Sequence, residues 1–244
     1  NPSIYYKNNV IGSYNLVEKM IKFNVKNIVF SSTAAVYGNP IHSPICENHP
    51  TQPINPYGDS KLTIEKLICN YSKCHDLNFV ILRYFNVSGS DFSNNLGEAH
   101  LPETHLIPLA LEAAHQNSIF KIYGDNYQTT DGTCIRDFIH VKDLGNVHLL
   151  SFEKLNSSKV NQIINVGGGK GYTVYEIIKY IKKITNLDLK TEVIKRRKGD
   201  PDILVSDISK SKNILSWEPM YSDVEQVISD SWEWYKYYKN LSQS

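Results

Sequence analysis

"NFVILRYFNV", residues 78–87, is an almost unbroken apolar run. A strand with one face in water alternates apolar and polar side chains. A parallel strand covered by helices on both faces does not, and it reads as this run does. The stretch therefore predicts a central parallel strand, and its neighbours fall into place around it. Upstream, "NPYGDSKLTIEKL" (55–67) opens a helix over about 57–75. Pro56 is tolerated at a helix start, where its missing N–H would be unpaired anyway. Before that helix, "GNPIHSPICENHPTQPINP" (38–56) is a Pro- and Asn-rich surface loop. "KNIVFSST" (26–33) is a short apolar run ending in hydroxyl side chains, as suits a buried strand meeting a site. Residues 4–24 show helical periodicity, with Val10, Tyr14, Val17 and Ile21 on one face. Helix, strand, long loop, helix, strand is the alternation of an α/β protein with a doubly wound parallel sheet.

The pattern changes after residue 87. "SGSDFSNNLGEAHLPE" (88–103) is a polar loop, "THLIPLALEAAHQN" (104–117) is helical, and "FKIYGDNYQTTDGTCIRDFIH" (120–140) carries turns and short strands. "NQIINV" (161–166) reads as another buried strand, followed by "GGGKG" and a helix from about Thr173, where Thr173 and Glu176 match a capping box. "VEQVISDSWEWYKYYKN" (224–240) is an amphipathic helix. The expected organisation is a Rossmann-like domain of residues 1–87 plus about 138–168, and a smaller mixed α/β domain of 88–137 plus 169–244.

Composition narrows the function classes. The chain of 244 residues is 41% hydrophobic and 21% charged with a formal net charge of +1, so no global field invites nucleic acid or an anionic membrane. No apolar run approaches the ~20 residues of a membrane helix, and no secretory signal is visible. The four cysteines form no C-x-x-C pair and read as reduced thiols of a cytoplasmic protein. The eight histidines include no H-E-x-x-H, and no metal centre is expected. The chain begins with Asn1 rather than Met, in the middle of a helical pattern, so a preceding segment is expected.

Tyr57 and Lys61 lie at i and i+4, on one stripe with Ile64 and Ile68. A phenol has a reference pKa of about 10. To act as a base near neutrality it needs positive charge beside it, because burial alone moves it the wrong way. By itself a Y-x-x-x-K pair is common. In a parallel sheet, however, the loops at the carboxyl ends of the strands meet at one crevice. That topology would bring Thr33, Tyr57, Lys61 and the Tyr84–Asn86 segment together. "GGGKG" (167–171) imitates a dinucleotide-binding turn, but Tyr172 stands where the next glycine is needed, and no K-[ST] follows. It is expected to be a structural turn.

A hydroxyl, a tyrosine and a lysine converging on such a crevice resemble the short-chain dehydrogenase/reductase superfamily. In order, "YYKNNVIGS", "FSSTAAVYG", "NPYGDSK", "LRYFNVSGS", "GEAHLPETHLIP", "DGTCIRDFIHVKDL", "INVGGGKGYTV", "RRKGDPDILVSD" and "SWEP" resemble the UDP-glucose 4-epimerase family along essentially the whole chain. One departure is large. The family opens with a strand and a G-x-x-G-x-x-G turn, and this sequence has no such motif, so a first dinucleotide half of roughly 80 to 100 residues is expected to be missing from it.

The resemblance implies an isomerase of galactose metabolism that interconverts UDP-galactose and UDP-glucose through a 4-keto sugar, with tightly held NAD. It implies that Tyr57 is the base at the sugar O4, that Lys61 lowers its pKa and holds the nicotinamide ribose, and that Thr33 hydrogen-bonds near O4. Asn8 (with Asn9 as a rival), Tyr84 and Phe85 would contact the cofactor. Asn86, His105, Leu106, Lys121, Ile122, Tyr123, Arg136, Arg197 and Asp200 would contact the substrate, the arginines as forks for the diphosphate. Related 4,6-dehydratases carry an Asp-Glu pair where this chain has Ala34 and Ala35, which disfavours elimination chemistry. A pocket position that is tyrosine in narrow-pocket relatives aligns with Leu204, or with Ile203 one residue earlier. Epimerases of UDP-N-acetylhexosamines or UDP-pentoses stay open as alternatives, as does an inactive remnant that only binds a nucleotide sugar. Homodimerisation through the helices at about 4–24 and 57–75 is implied as well.

Overall fold

The structure, a computed structural model, describes residues 2–197 and 199–241; Asn1 and Lys198 of the "RRKGD" run lie outside the described residues. In chain order the main elements are α1 (Pro2–Tyr5), a π-helical turn (Tyr6–Ile11), α2 (Gly12–Lys22), β1 (Asn27–Thr33), a 3₁₀ turn (Ala34–Tyr37), α3 (Pro56–His75), β2 (Asn78–Tyr84), β3 (Asn86–Ser88), α4 (Leu106–His115), β4 (Ile119–Tyr123), β5 (Ile135–His140), α5 (Val141–Ser157), β6 (Asn161–Val166), β7 (Gly171–Thr173), α6 (Val174–Thr185), β8 (Lys190–Ile194), β9 (Ile203–Leu204), α7 (Ser209–Leu215) and α8 (Val224–Leu241). No helix among the described residues is long and apolar enough to cross a membrane.

The chain divides into two compact units. The first holds residues 1–85, 146–166 and 206–218; the second holds 86–145, 167–205 and 219–244. Besides shifts of about two residues at its other boundaries, the division differs from the expected one at two places. Residues 138–145 fall in the second unit, because β5 pairs with β3, β7 and β9 and not with the β1–β2–β6 sheet. Residues 206–218 fall in the first, where α7 packs on β6.

In the first unit β1, β2 and β6 form a parallel sheet with β2 in the middle, in a Rossmann-like α/β arrangement. Val80, Ile81 and Leu82 of β2 are fully buried, as its apolar run predicts. The strand is shorter than the run. It ends at Tyr84; Phe85 donates its N–H to the Val166 carbonyl, and Asn86–Ser88 pair with β5 instead. One face of the sheet is covered by α2 and α3 through Val17, Met20, Ile64 and Ile68 packed on Phe79 and Ile81. The N-terminal helix differs from its expected stripe. Val17 and Met20 are buried while Tyr14 is 44% exposed. The wider π-helical turn at Tyr6–Ile11 explains this, because it changes the phase of the residues that follow.

The second unit contains β3, β5, β7 and β9 in one sheet and the parallel pair β4–β8. Its core joins α4, α6 and α8 through Leu111, Ile177, Ile181 and Val227. The capping box is present: Thr173 Oγ1 accepts from Glu176 N–H at 3.1 Å, and the Glu176 carboxylate accepts from Thr173 N–H at 2.8 Å. The "GGGKG" turn is structural. Its Gly168 and Gly169 N–H groups, which could have cradled a phosphate, both donate to the Asp137 carboxylate, at 2.7 and 3.2 Å.

Candidate active site

The site in the first unit is built where β1 ends and α3 begins. Asn55 caps α3 by accepting from the Gly58 N–H at 2.8 Å, and Pro56 supplies the first helical residue. Gly58 then lets the helix press against the turn after β1. A Cβ there would lie 2.5 Å from the Ala35 carbonyl oxygen, so no larger residue permits this approach. The contact brings Tyr57 to Thr33, the last residue of β1. Thr33 Oγ1 accepts from the Ala35 N–H at 3.1 Å, and its hydroxyl beside the Tyr57 phenol lowers the phenol's pKa.

The larger influence on Tyr57 has the opposite sign. Burial, followed by the neighbouring Tyr84, pushes the phenol above its ordinary value of 10.0. The expectation that Lys61 brings it down is not what this geometry delivers. The Lys61 ammonium is one turn further along, 5.9 Å from the centroid of the Tyr57 ring and 5.1 Å from that of Phe30, and it donates to the Ser31 carbonyl at 2.9 Å. Burial lowers the lysine's own pKa. Both partners are therefore destabilised in their charged forms, which leaves the pair poised to respond to any further charge placed beside it.

The other expected cofactor contacts divide. Tyr84 is half-buried at the end of β2, with its ring 6.5 Å from that of His148, whereas Phe85 is almost wholly buried. Asn8 is exposed on the π-helical turn; its rival Asn9 is tied to α3 by a 3.0 Å bond to Ser60 Oγ. Two features escaped the sequence reading. His148, on α5, bonds Ser31 Oγ through Nε2 at 2.9 Å. The buried pair Arg83–Glu65 (2.6 Å) holds Ser32 beside Thr33 through a 2.5 Å bond from Ser32 Oγ to Glu65 Oε1. The second was legible, since an arginine inside an apolar strand requires a buried acidic partner. The first was not, because nothing in the α5 stretch marks its histidine.

In the second unit the expected substrate residues are distributed as follows. On β4, Lys121 and Tyr123 face outward while Ile122 is 1% exposed, so alternation puts the Ile122 side chain in the core, and only its backbone is available to a ligand. Arg197 is exposed, its guanidinium 3.8 Å from the Tyr123 ring centroid. Arg136 is almost wholly buried and is bound to Asp200 and to the Pro201 (2.8 Å) and Ile135 (2.7 Å) carbonyls. The Asp200 carboxylate also accepts from the Tyr127 hydroxyl at 3.1 Å. Asn86 donates to the Asp137 carbonyl at 2.9 Å. His105 directly precedes α4 without capping it through its side chain, and its Nδ1 is turned toward Glu98 and Glu103, so its imidazole is committed to those carboxylates. Leu204, half-buried in β9, is the register partner of Arg136.

A parallel Rossmann-like sheet with a threonine at a strand end and a Tyr-x-x-x-Lys helix beside it defines the short-chain dehydrogenase/reductase class. Comparison with known proteins agrees. Residues 1–167 match the NAD dependent epimerase/dehydratase family. A UDP-glucose 4-epimerase of Halalkalibacterium halodurans is 46% identical over 96% of this chain and 71% of that protein, and one of Lactobacillus helveticus is 42% identical over 96% and 72%. Among solved structures, UDP-glucose 4-epimerase from Brucella ovis in complex with NAD superposes with a TM-score of 0.92 at 40% identity, covering 96% of this chain and 72% of that one. The UDP-Glc/GlcNAc 4-epimerase from Campylobacter jejuni does so with a TM-score of 0.81 at 42% identity, covering 97% and 72%. The chain belongs to the NAD dependent epimerase/dehydratase family and, within it, to the UDP-glucose 4-epimerases.

Proposed function

We propose that this protein interconverts UDP-galactose and UDP-glucose with NAD as a resident cofactor and Tyr57 as the base. The observation that carries the reading is the Thr33 hydroxyl beside the Tyr57 phenol, with the Lys61 ammonium one turn away. The residues present fit the nicotinamide end of NAD: a phenol and an ammonium suit a ribose and tolerate a cationic ring. The "GGGKG" turn does not fit the pyrophosphate, because Asp137 occupies its N–H groups. When bound, NAD supplies a reversible hydride acceptor and positive charge near the phenol. Tyr57 removes the proton from the sugar O4 hydroxyl and later returns it to O4, once C4 of the 4-keto sugar has taken the hydride back on its opposite face. Thr33 orients that oxygen. Lys61 restrains the base and favours its charged form. Ala34 and Ala35 offer no acid–base pair for elimination, which separates this site from that of a dehydratase.

In the second unit, exposed Arg197 and Lys121 provide cations for the diphosphate, and Tyr123 offers a flat ring to the uracil. Arg136 is proposed to act from its fixed position against Asp200. The protein is proposed to be a homodimer, paired through the N-terminal helical stretch and α3; Ile11 of the π-helical turn and Tyr14 of α2 are 54% and 44% exposed. Four free cysteines fit a reducing, cytoplasmic setting. Incubation with UDP-galactose and NAD, followed by separation of the two UDP-hexoses, tests the reading: UDP-glucose should form until the two sugars reach equilibrium, and no conversion would overturn it.

A further inference from the structure

The loop leading into α4 gathers four potential metal ligands, of which only His105 is among the expected substrate contacts. Glu98, His100, Glu103 and His105 each bring one donor atom, and all four atoms lie within 4.8 Å of one another. His100 Nδ1 is 2.8 Å from Glu98 Oε1 and 3.9 Å from Glu103 Oε1, and His105 Nδ1 is 3.5 Å from Glu103 Oε1 and closer still to Glu98 Oε1. A tetrahedral ion with bonds of about 2.0–2.2 Å sets its donors about 3.3–3.6 Å apart. The observed separations bracket that range, so small rotations of the two imidazoles would centre an ion among them.

The frame around these side chains is fixed. Glu103 Oε1 accepts from the Thr104 and His105 N–H groups at 2.6 and 2.8 Å. The Glu98 carbonyl accepts from Trp234 Nε1–H at 2.6 Å. Gly97 lies so close to the same indole that a Cβ there would come within 2.1 Å of it. Glu98, His100 and Glu103 also line a cleft with Trp234, Tyr238 and Lys239, which gives an ion a route in from solvent.

From this geometry we propose that Glu98, His100, Glu103 and His105 form a binding site for one divalent cation of the zinc class. Two imidazole nitrogens with two carboxylate oxygens suit Zn²⁺ or Co²⁺, whereas Mg²⁺ seeks an all-oxygen octahedron. The spacing E-x-H-x-x-E-x-H lies in a loop rather than on a helix face, which is why a search for helical zinc motifs passes over it and why the sequence suggested no metal centre. The site spans the residue that starts α4, so a bound ion would tie the loop to that helix.

The test is metal binding by the chelator-treated full chain, measured by titration calorimetry with Zn²⁺ alone, then Mg²⁺ alone, and needs no catalytic readout. One Zn²⁺ per chain is expected, with no measurable Mg²⁺ binding. His100→Ala should weaken Zn²⁺ by more than the roughly 10- to 100-fold that loss of an outer partner costs. Glu103→Gln, which keeps an oxygen for the two loop N–H groups, should also weaken it, and Glu112→Gln in the same cleft should not. Circular dichroism of the metal-free variants checks that each is folded, and Glu103→Gln decides the matter should His100→Ala unfold. Absence of Zn²⁺ binding, or binding that survives in both His100→Ala and Glu103→Gln, would overturn the proposal.

Discussion

The Lys61 ammonium stands 5.9 Å from the centre of the Tyr57 ring, yet its hydrogen bond goes to the Ser31 carbonyl, at 2.9 Å. Burial raises the phenol above 10.0, and the lysine, turned to that carbonyl, does not bring it down. The role proposed for Lys61 is to favour the phenolate in the loaded enzyme, and on that role Lys61→Met raises the phenol's pKa further. A base works only when deprotonated, and activity falls as pH drops through its pKa. The acidic limb of the kcat–pH profile should therefore move to higher pH in the variant. A limb that stays in place would show that another group sets it.

Thr33 accepts from the Ala35 N–H, and its hydroxyl beside the Tyr57 phenol lowers the phenol's pKa. Thr33→Val keeps the shape and removes that hydroxyl. Turnover should fall about tenfold, the kinetic equivalent of one hydrogen bond of about 1.4 kcal/mol. Thr33→Ser should recover most of it. Steady-state kinetics of both variants make the check, and a valine variant with parental kcat would remove Thr33 from the mechanism.

Gly58 controls the approach of α3 to β1. In Gly58→Ala the new Cβ meets the Ala35 carbonyl oxygen, and backbone cannot yield as a side chain tip can. Overpacking of this kind costs about 1–3 kcal/mol. It also displaces Tyr57, and a shift of about 1 Å can cost roughly 100-fold in rate. Thermal unfolding and kcat should both fall. Unchanged kcat in a folded variant would mean that the Tyr57–Thr33 contact does not depend on this close approach.

Glu65 and Arg83 are both almost wholly buried and joined at 2.6 Å. Glu65→Gln leaves the guanidinium with no charge partner, and breaking such a pair typically costs about 3–5 kcal/mol. Urea unfolding should show a loss of that size. A change below about 1 kcal/mol would indicate that water or the Tyr37 hydroxyl, 3.1 Å from Arg83, already carries the charge.

The resemblance aligns Leu204, or Ile203 one residue earlier, with a pocket-narrowing tyrosine, and we propose that Leu204, the register partner of Arg136 in β9, leaves that pocket open. The account expects UDP-galactose and UDP-N-acetylgalactosamine to turn over with comparable kcat/KM, and Leu204→Tyr to lose the acetylated sugar selectively. Competing-substrate assays measure it; a parental preference above about 100-fold for the plain hexose would show that something else closes the pocket.

Much of this was legible because the relevant signals are local. The apolar run of β2, the Asn55–Pro56 helix start and the Thr173–Glu176 capping box each follow from residues within one turn or strand. The cluster of Thr33, Tyr57 and Lys61 was legible from topology, since strand ends in a parallel sheet meet. What stayed hidden depends on partners distant in sequence. Phe85 bonds Val166 and ends β2 early, β5 pairs away from the first sheet, and His148 reaches Ser31 across more than a hundred residues. The direction of the Tyr57 shift was misjudged for a related reason. Spacing put a cation near the phenol, but it could not show that the ammonium is turned to a carbonyl or how deeply the ring is buried.

The most direct measurement is the conversion of UDP-galactose by Tyr57→Phe, with NAD supplied and folding verified by circular dichroism. Loss of a general base typically costs about 10²- to 10⁴-fold. The account predicts a fall of that size in kcat with the fold intact. Turnover within a few-fold of the parent would contradict the assignment of Tyr57 as the base.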